Sequence, residues 1–173
     1  MRGLDSGLNA AVGKSSSSAG QYLSFHIGAE EFGIDILSVQ EIRSYEQPTR
    51  MPRAGDDVLG VVNLRGVIVP IIDLRIRLGN AQAVFTTSTV VIVLDLRTHV
   101  VGVVVDAVND VVSLTQEMLR PAPSLSGPVD TAYINGLAQV EERMLMLLDI
   151  HTLLRDTSTV AAEIRTPAEA SVA

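Results

Sequence analysis

The chain has no cysteine and no tryptophan, and it has only three phenylalanines and three tyrosines among its 173 residues. Without cysteine it can form no disulfide, thiolate nucleophile or cysteine-ligated zinc site, which fits a reducing cytoplasm. With so few aromatic rings it offers little on which bases could stack. Basic residues are outnumbered, since thirteen Lys and Arg oppose twenty Asp and Glu and give a net charge of −7. That charge repels phosphate backbones and anionic lipid surfaces, so we expect no nucleic-acid partner.

Long hydrophobic runs are also missing. The most apolar stretches, residues 90–94 and 100–105, are separated by Asp95 and Arg97 and fall far short of the ~20 residues that a membrane helix needs. Their Val and Ile content is typical of buried β-strands. With 47% hydrophobic residues, the chain can bury one sizeable core or two small ones without help from metals. We therefore expect a folded protein that does not insert into membranes.

The pattern along the chain predicts an all-β body between two tails. Residues 1–20 contain a serine run and no signal-peptide core, and residues 157–173 are dominated by Ala, Thr and Glu, so both are expected to be disordered. One helical turn is predicted at residues 56–59 and a short closing helix at 150–155. Strands are predicted at residues 21–27, 31–37, 39–45, 61–64, 67–73, 89–96, 99–106, 110–114, 133–140 and 143–149.

An internal repeat divides these strands into two similar halves. One constant offset relates Gly33 to Gly102 and Val39 to Val108, since 102 − 33 and 108 − 39 both equal 69. A second offset relates Asp73 to Asp149 (149 − 73 = 76), and each of these aspartates closes a strand pair. Five strands per half suffice for a small closed barrel, which would leave no exposed sheet edge. The repeat thus predicts two pseudo-symmetric barrels packed side by side.

The turn at residues 63–66 joins two apolar strands and carries one arginine at its tip. Its asparagine and glycine tolerate positive φ, so the chain can reverse there and present Arg65 to solvent. A solvated turn residue is the simplest interpretation of this arginine. The alternative is that it serves as a binding residue.

Candidate catalytic patterns fail on their spacing. Residues 7–15 end in Gly-Lys-Ser, but five residues rather than four lie between Gly7 and Gly13, so the phosphate-loop motif is not met. Asp73 and Asp149 form a symmetric pair, but neither is followed by the small hydroxyl residue and glycine of an aspartic-protease turn. Capping of the following turn is the expected role of each. The three histidines lie in different elements, so no metal site is predicted, and no Gly-x-Ser-x-Gly elbow occurs.

Val39 and Val108 occupy equivalent positions of the two halves, and each is followed two residues later by an acid, Glu41 or Asp110. Burial in a barrel core is one interpretation of these valines. The other is that they line the seam between the barrels, where a partner's apolar helix could lie with the acids at its rim.

The sequence resembles the CheW family of bacterial chemotaxis coupling proteins from residue 21 to residue 154. The shared motifs are NLRG at 63–66, PIIDL at 70–74, EFGIDI at 31–36, VQEIR at 39–43, VGVVVD at 101–106, LRPAP at 119–123, GL at 136–137 and RML at 143–145. The resemblance implies an all-β fold of two intertwined five-stranded SH3-like barrels spanning residues 21–156. It also implies a cytoplasmic, non-enzymatic adaptor without cofactor or metal.

The resemblance further implies two partners. These are the cytoplasmic tip of methyl-accepting chemoreceptors and the regulatory domain of the histidine kinase CheA, in a receptor array with possible ring assembly. The receptor-side residues carried over from the family are Val39, Glu41, Gly60, Arg65 and Val108, and kinase contacts stay unassigned. In this reading Arg65 pairs with an acidic receptor side chain. Two other functions stay open from the residues alone: a small-ligand-binding β protein that uses the seam as a pocket, and a hydrolase that uses Asp73 and Asp149.

Overall fold

The computed structural model describes residues 18–52, 55–79, 84–122 and 133–157. The strands within these ranges are β1 (Gly20–Ile27), β2 (Glu30–Asp35), β3 (Val39–Ser44), β4 (Val58–Leu64), β5 (Val67–Asp73), β6 (Val90–Asp95), β7 (Val100–Val105), β8 (Ala107–Leu114), β9 (Leu119–Arg120), β10 (Ile134–Val140) and β11 (Arg143–Leu148). Two short α-helices, Leu74–Arg77 and Ile150–Leu153, each follow a strand, and 3-10 turns lie at Ile36–Ser38 and Gln116–Met118. None of the helices in the described ranges is long and apolar enough to cross a membrane.

The strands form two sheets of matching topology. The first has the order β8-β1-β2-β11-β10-β9 and the second the order β3-β6-β7-β5-β4. Both contain one parallel pair, β2 with β11 and β5 with β7, and the remaining neighbours are antiparallel. Strands β1 and β2 of the first repeat therefore occupy the places that β6 and β7 of the second repeat occupy in the other sheet.

Each repeat contributes strands to both sheets. Strands β1 and β2 of the first repeat lie in one sheet with β8 to β11 of the second repeat. Strands β6 and β7 of the second repeat lie in the other sheet with β3, β4 and β5 of the first repeat. The prediction of an all-β fold with two equivalent units is confirmed, but the units are intertwined, as the family resemblance implied, rather than separate halves of the chain. The closure of each sheet into a barrel stays a prediction.

Two equivalent glycines, Gly33 and Gly102, leave room for side chains of the neighbouring strand in the two parallel strand pairs. A Cβ added at Gly33 would lie 2.9 Å from Leu147 Cδ2, and one added at Gly102 would lie 2.7 Å from Ile71 Cδ1. Leu147 and Ile71 are directly opposite these glycines in the parallel ladders. The same packing constraint therefore acts at both copies of the repeat.

The two sheets share one large apolar core. Phe25 and Ile34 from the first sheet and Ile92 and Val103 from the second belong to the same buried cluster, which also contains Leu153. Each sheet buries a smaller apolar cluster of its own as well. Because side chains alternate between faces along a strand, one sheet can contribute to both the shared core and its own.

Some predicted boundaries were wrong. The helical turn predicted at residues 56–59 is not formed, because Val58 already pairs with Ile72 as the first residue of β4. Gly20 pairs with Leu114 and Thr157 is fully buried, so both belong to the folded body rather than to the predicted tails. The closing helix is confirmed but ends at Leu153. The phosphate-loop-like segment 7–15 lies outside the described residues, as does most of both predicted tails.

Candidate functional site

The β4–β5 hairpin presents Arg65 at its tip. Leu64 pairs with Val67, which leaves Arg65 and Gly66 as a two-residue turn, with φ values of 53° and 88°. Two consecutive positive φ angles define the type I′ turn that suits the twist of a hairpin. Asn63 was expected to supply a positive φ, but it lies in the strand and its Oδ1 instead accepts a hydrogen bond from Gly66 N at 2.8 Å.

Arg65 forms an ion pair with Glu41, the acid that follows Val39 by two residues. Arg65 Nη2 donates to Glu41 Oε2 at 2.7 Å, and Arg43 Nη1 lies 3.9 Å from the same oxygen. The Arg65 side chain is 63% exposed and that of Glu41 is 26% exposed. The hydrogen bond from Arg65 lowers the pKa of Glu41 and raises the pKa of Arg65, so both groups stay charged. The pair links the hairpin tip to β3, an end strand of the second sheet.

Beside this pair lies a shallow pocket between the two end strands of the second sheet. Val62 and Leu64 of β4 line it together with Val91 of β6, and Arg43 and Asn63 add polar groups to its lining. Strands β3 and β4 are at opposite ends of the strand order, yet both contribute to this pocket. The sheet therefore curves until its ends approach each other, next to the ion pair.

Val39 and Val108 are both half-buried, and both pack against the shared core. Val39 lies opposite Leu94 and Val108 lies opposite Phe25, each beside a β-bulge of its end strand. Their position thus lies between the two interpretations from the sequence: one part of each side chain contacts the core and the other part faces solvent.

Gly60 is buried, unlike the other residues of the carried-over set. A Cβ at this position would lie 2.1 Å from Thr49 O, and its φ is +147°, where L side chains rarely occur. Thr49 and Val61 exchange backbone hydrogen bonds of 2.9 and 2.8 Å directly beside it. Gly60 therefore lets the chain after β3 cross β4 at close range, and it offers no side-chain surface of its own.

Exposed apolar side chains recur at equivalent positions of the two sheets, which the sequence interpretation missed. Ile42 corresponds to Val111 (111 − 42 = 69) and Ile68 to Met144 (144 − 68 = 76), and all four side chains are between 42% and 49% exposed. The repeat offsets would have related these positions, but their exposure depends on which strand faces were left uncovered.

The symmetric aspartates serve the fold separately. Asp73 Oδ1 accepts from Arg75 N and Asp149 Oδ1 accepts from Thr152 N, which confirms the predicted capping role. Asp73 is fully buried and also accepts two side-chain hydrogen bonds from Arg75, both at 2.9 Å. The same guanidinium donates to Asp106 Oδ1 at 2.9 Å. The buried Asp73 carboxylate is thus fully engaged by Arg75, while Asp149 bonds within its own cap, so the two do not form a shared acid–base dyad.

Two of the three histidines, His26 and His99, make separate polar contacts. His26 Nδ1 lies 2.8 Å from Asn109 Oδ1, and His99 Nε2 lies 2.6 Å from Thr157 Oγ1. Burial lowers the pKa of His99. Among the described residues, no group of three or more His, Cys, Asp or Glu side chains could hold a metal ion.

Comparison with known proteins places this arrangement in one family. A family model described as a CheW-like domain matches residues 21–158. The chain is 53% identical over 134 residues to the chemotaxis protein CheW of Klebsiella aerogenes, covering 78% of this chain and 81% of that protein. It is 32% identical over 138 residues to the chemotaxis protein CheW of Bacillus subtilis, covering 80% and 88%. The scaffolding protein TtCheW from Thermoanaerobacter tengcongensis has a similar crystal structure, with a TM-score of 0.72, 28% identity and coverage of 80% of this chain and 89% of that one. By sequence and by fold, the chain belongs to the CheW-like domain family.

Proposed function

We propose that this chain is a non-enzymatic chemotaxis adaptor that couples methyl-accepting chemoreceptors to the histidine kinase CheA. The names of its relatives support this assignment, since they are called chemotaxis proteins and one is called a scaffolding protein. The observation that carries the proposal is the ion pair that holds the exposed Arg65, at the two-residue turn of the β4–β5 hairpin, to Glu41. A charged group held on a rigid element is well placed to recognise a charged partner.

The receptor face consists, in this proposal, of Arg65, Glu41, Val39 and Val108. A guanidinium has five N–H donors, and Arg65 uses Nη2 for Glu41, so donors are left for a receptor carboxylate. The solvent-facing parts of Val39 and Val108 would receive the apolar side of the receptor's helical hairpin. Gly60 contributes through the backbone alone, because its missing side chain lets residues 49–50 cross β4.

For the kinase, the exposed apolar pairs are the best candidates. Ile42 and Ile68 in the second sheet and Val111 and Met144 in the first are exposed to similar extents. Such exposed apolar side chains suit contacts with the regulatory domain of CheA and with neighbours in a ring or array, because the centres of interfaces are depleted of charged residues and enriched in aromatic and Met side chains. The working location is then the cytoplasm, at the membrane-bound receptor arrays.

The absence of catalysis is part of the proposal. The carboxylate that a hydrolase would need, Asp73, is buried against Arg75, and Asp149 caps the closing helix. The described residues also offer no metal cluster. We expect reconstituted kinase activity to come entirely from CheA.

Charge substitution at the hairpin tip tests the receptor face. Arg65→Ala should weaken binding of a receptor-tip fragment by about tenfold or more, because a desolvated ion pair at an interface would be lost. The melting temperature should change little, because an exposed pair adds little to folding stability. Arg120→Ala is the matched control, since Arg120 is an exposed arginine that donates to the backbone carbonyls of Glu117 and Leu119. Binding is measured by titration calorimetry and melting by circular dichroism.

A charge swap separates contact from support. The double variant Arg65→Glu, Glu41→Arg keeps an internal ion pair but places an acid at the hairpin tip. If Arg65 contacts a receptor carboxylate, this variant should stay folded and fail to bind. Wild-type affinity in the double variant would show that the pair only supports the fold. Wild-type affinity in Arg65→Ala would remove Arg65 from the receptor face.

A further inference from the structure

The first sheet contains an ionic cluster that the proposed receptor face does not use. Arg143, the first residue of β11, donates to Glu31 on β2, to Asp110 on β8 and to Ser24 on β1. Its Nη2 lies 3.0 Å from Asp110 Oδ1, and its Nη1 lies 3.4 Å from Asp110 Oδ2. The Arg143 side chain is 36% exposed and that of Glu31 only 10% exposed. One guanidinium thus ties four strands together.

This cluster occupies the place that the Arg65–Glu41 pair occupies in the second sheet. Asp110 corresponds to Glu41 (110 − 41 = 69), and each follows the residue that is skipped in its strand ladder, Asn109 in β8 and Gln40 in β3. The arginines themselves are not equivalent, since the counterpart of Arg143 is Val67. In both sheets an arginine pairs with the acid of a bulged end strand. Arg65, which pairs with Glu41, lies in a hairpin turn, whereas Arg143, which pairs with Asp110, is the first strand residue after a hairpin turn.

Polar side chains hold the β8 bulge in one arrangement. Asn109 Nδ2 donates to Ser24 Oγ at 3.2 Å and to Glu31 Oε2 at 3.1 Å. Its Oδ1 then accepts from His26 Nδ1 at 2.8 Å. Ser24, which is fully buried, donates to Glu31 as well. The hydrogen bond from Arg143 lowers the pKa of Glu31 to about 2, so the carboxylate at the centre of this network stays ionised at neutral pH.

We propose that Arg143 is a positioning residue of the receptor site, which fixes the bulged strand β8 so that Val108 is held at the docking face. This inference rests on the proposed function. Strand β8 is an end strand that pairs with β1 on one side, and its ladder shifts register between Val108 and Asp110, so side-chain ties add to the backbone pairing at this point. Without Arg143, the carboxylates of Glu31 and Asp110 would lose their shared cation and repel each other. Relaxation of that repulsion would move the segment that carries Val108.

The experiment compares Arg143→Ala, Arg143→Lys and the control Arg120→Ala in the full chain. Arg120 lies on β9 of the same sheet, so its removal changes the net charge equally without releasing β8. We measure affinity for a receptor-tip fragment, the melting temperature and amide hydrogen exchange of β8. Arg143→Ala should weaken receptor affinity by about fivefold or more, because this positioning tie would be lost. It should also speed exchange in β8 while β6 and β7 stay protected. Arg143→Lys, which can still pair with one of the acids, should recover much of the affinity.

Each outcome decides the proposal. Wild-type receptor affinity in a folded Arg143→Ala variant overturns it, and so does lost affinity without faster exchange in β8. If exchange speeds up equally in both sheets, Arg143 is a general stabiliser and the positioning role fails. The proposed function is judged separately by Arg65→Ala: if that variant loses affinity while Arg143→Ala does not, only the inference about Arg143 falls.

Discussion

Substitution of Gly60 by alanine should lower the stability of the fold, because Gly60 is a packing position and not a contact surface. The added Cβ would lie 2.1 Å from Thr49 O and 2.7 Å from Thr49 C, and both are backbone atoms that cannot rotate away. Backbone at residues 49–50 would have to move off β4. That movement would break the two hydrogen bonds between Thr49 and Val61.

The magnitude follows from two contributions. Forcing extra atoms into a packed site costs about 1–3 kcal/mol, and a non-glycine residue in a sparsely populated φ region costs about 1–3 kcal/mol. Together they predict a loss of about 2–6 kcal/mol in the free energy of unfolding. For a chain of this size that corresponds to a melting temperature lower by about 4–24 °C.

Gly66→Ala is the matched control for this prediction. Gly66 also has a positive φ, 88°, but an added Cβ there would meet nothing within 4 Å. Only the conformational cost of about 1–3 kcal/mol applies, so the melting temperature should fall by about 2–12 °C, roughly half the shift expected for Gly60→Ala. Thermal melts by circular dichroism compare the two variants. Equal melting temperatures for Gly60→Ala and the wild type would refute the steric reasoning, and lost receptor affinity in such a stable variant would make Gly60 a contact residue after all.

Three further variants test other parts of the structure. Arg75→Met should lower the free energy of unfolding by about 3–5 kcal/mol in chemical denaturation, because Asp73 and Asp106 lose their cation and Asp73 is fully buried. An unchanged free energy of unfolding would contradict a stabilising role of Arg75. The pKa of Glu31 is lowered from 4.5 to about 2, so its contribution to stability is complete above pH 4.5 and is lost as the pH falls through about 2. Denaturation curves at several pH values should therefore show a flatter acid dependence in Glu31→Gln, and an unchanged slope would refute this. Val108→Asp should remain folded with a reduced melting temperature and lose receptor affinity, since Val108 is half-buried, whereas complete unfolding would assign it to the core.

The repeat made most of the fold predictable. The offset between Gly33 and Gly102 identified equivalent strands, and the parallel neighbours Leu147 and Ile71 explain why glycine is needed at both places. The exchange of strands between sheets was not predictable from the offsets. An offset states which strands correspond, but the pairing of β2 with β11 depends on contacts between residues more than 100 positions apart in sequence.

The site was predictable in part. Turn chemistry indicated that Arg65 would be exposed, which the hairpin confirms. Its partner Glu41 was singled out because it follows Val39 by two residues. The pairing of Arg65 with Glu41 was missed because it depends on the curvature of the sheet. Gly60 could not be placed, since the crossing of Thr49 over β4 leaves no pattern in the sequence. The Arg143 cluster was missed because its acids come from strands that the sequence does not show to be neighbours.

The central claim, that this chain couples receptors to CheA, is tested most directly by reconstitution. Receptor-containing membranes and CheA are combined with and without the purified chain, and autophosphorylation of the kinase is measured with and without an attractant. The account predicts that kinase output responds to the attractant only when the chain is present, and that Arg65→Ala weakens this response while Arg120→Ala does not. Identical kinase output and attractant response with and without the chain would contradict it.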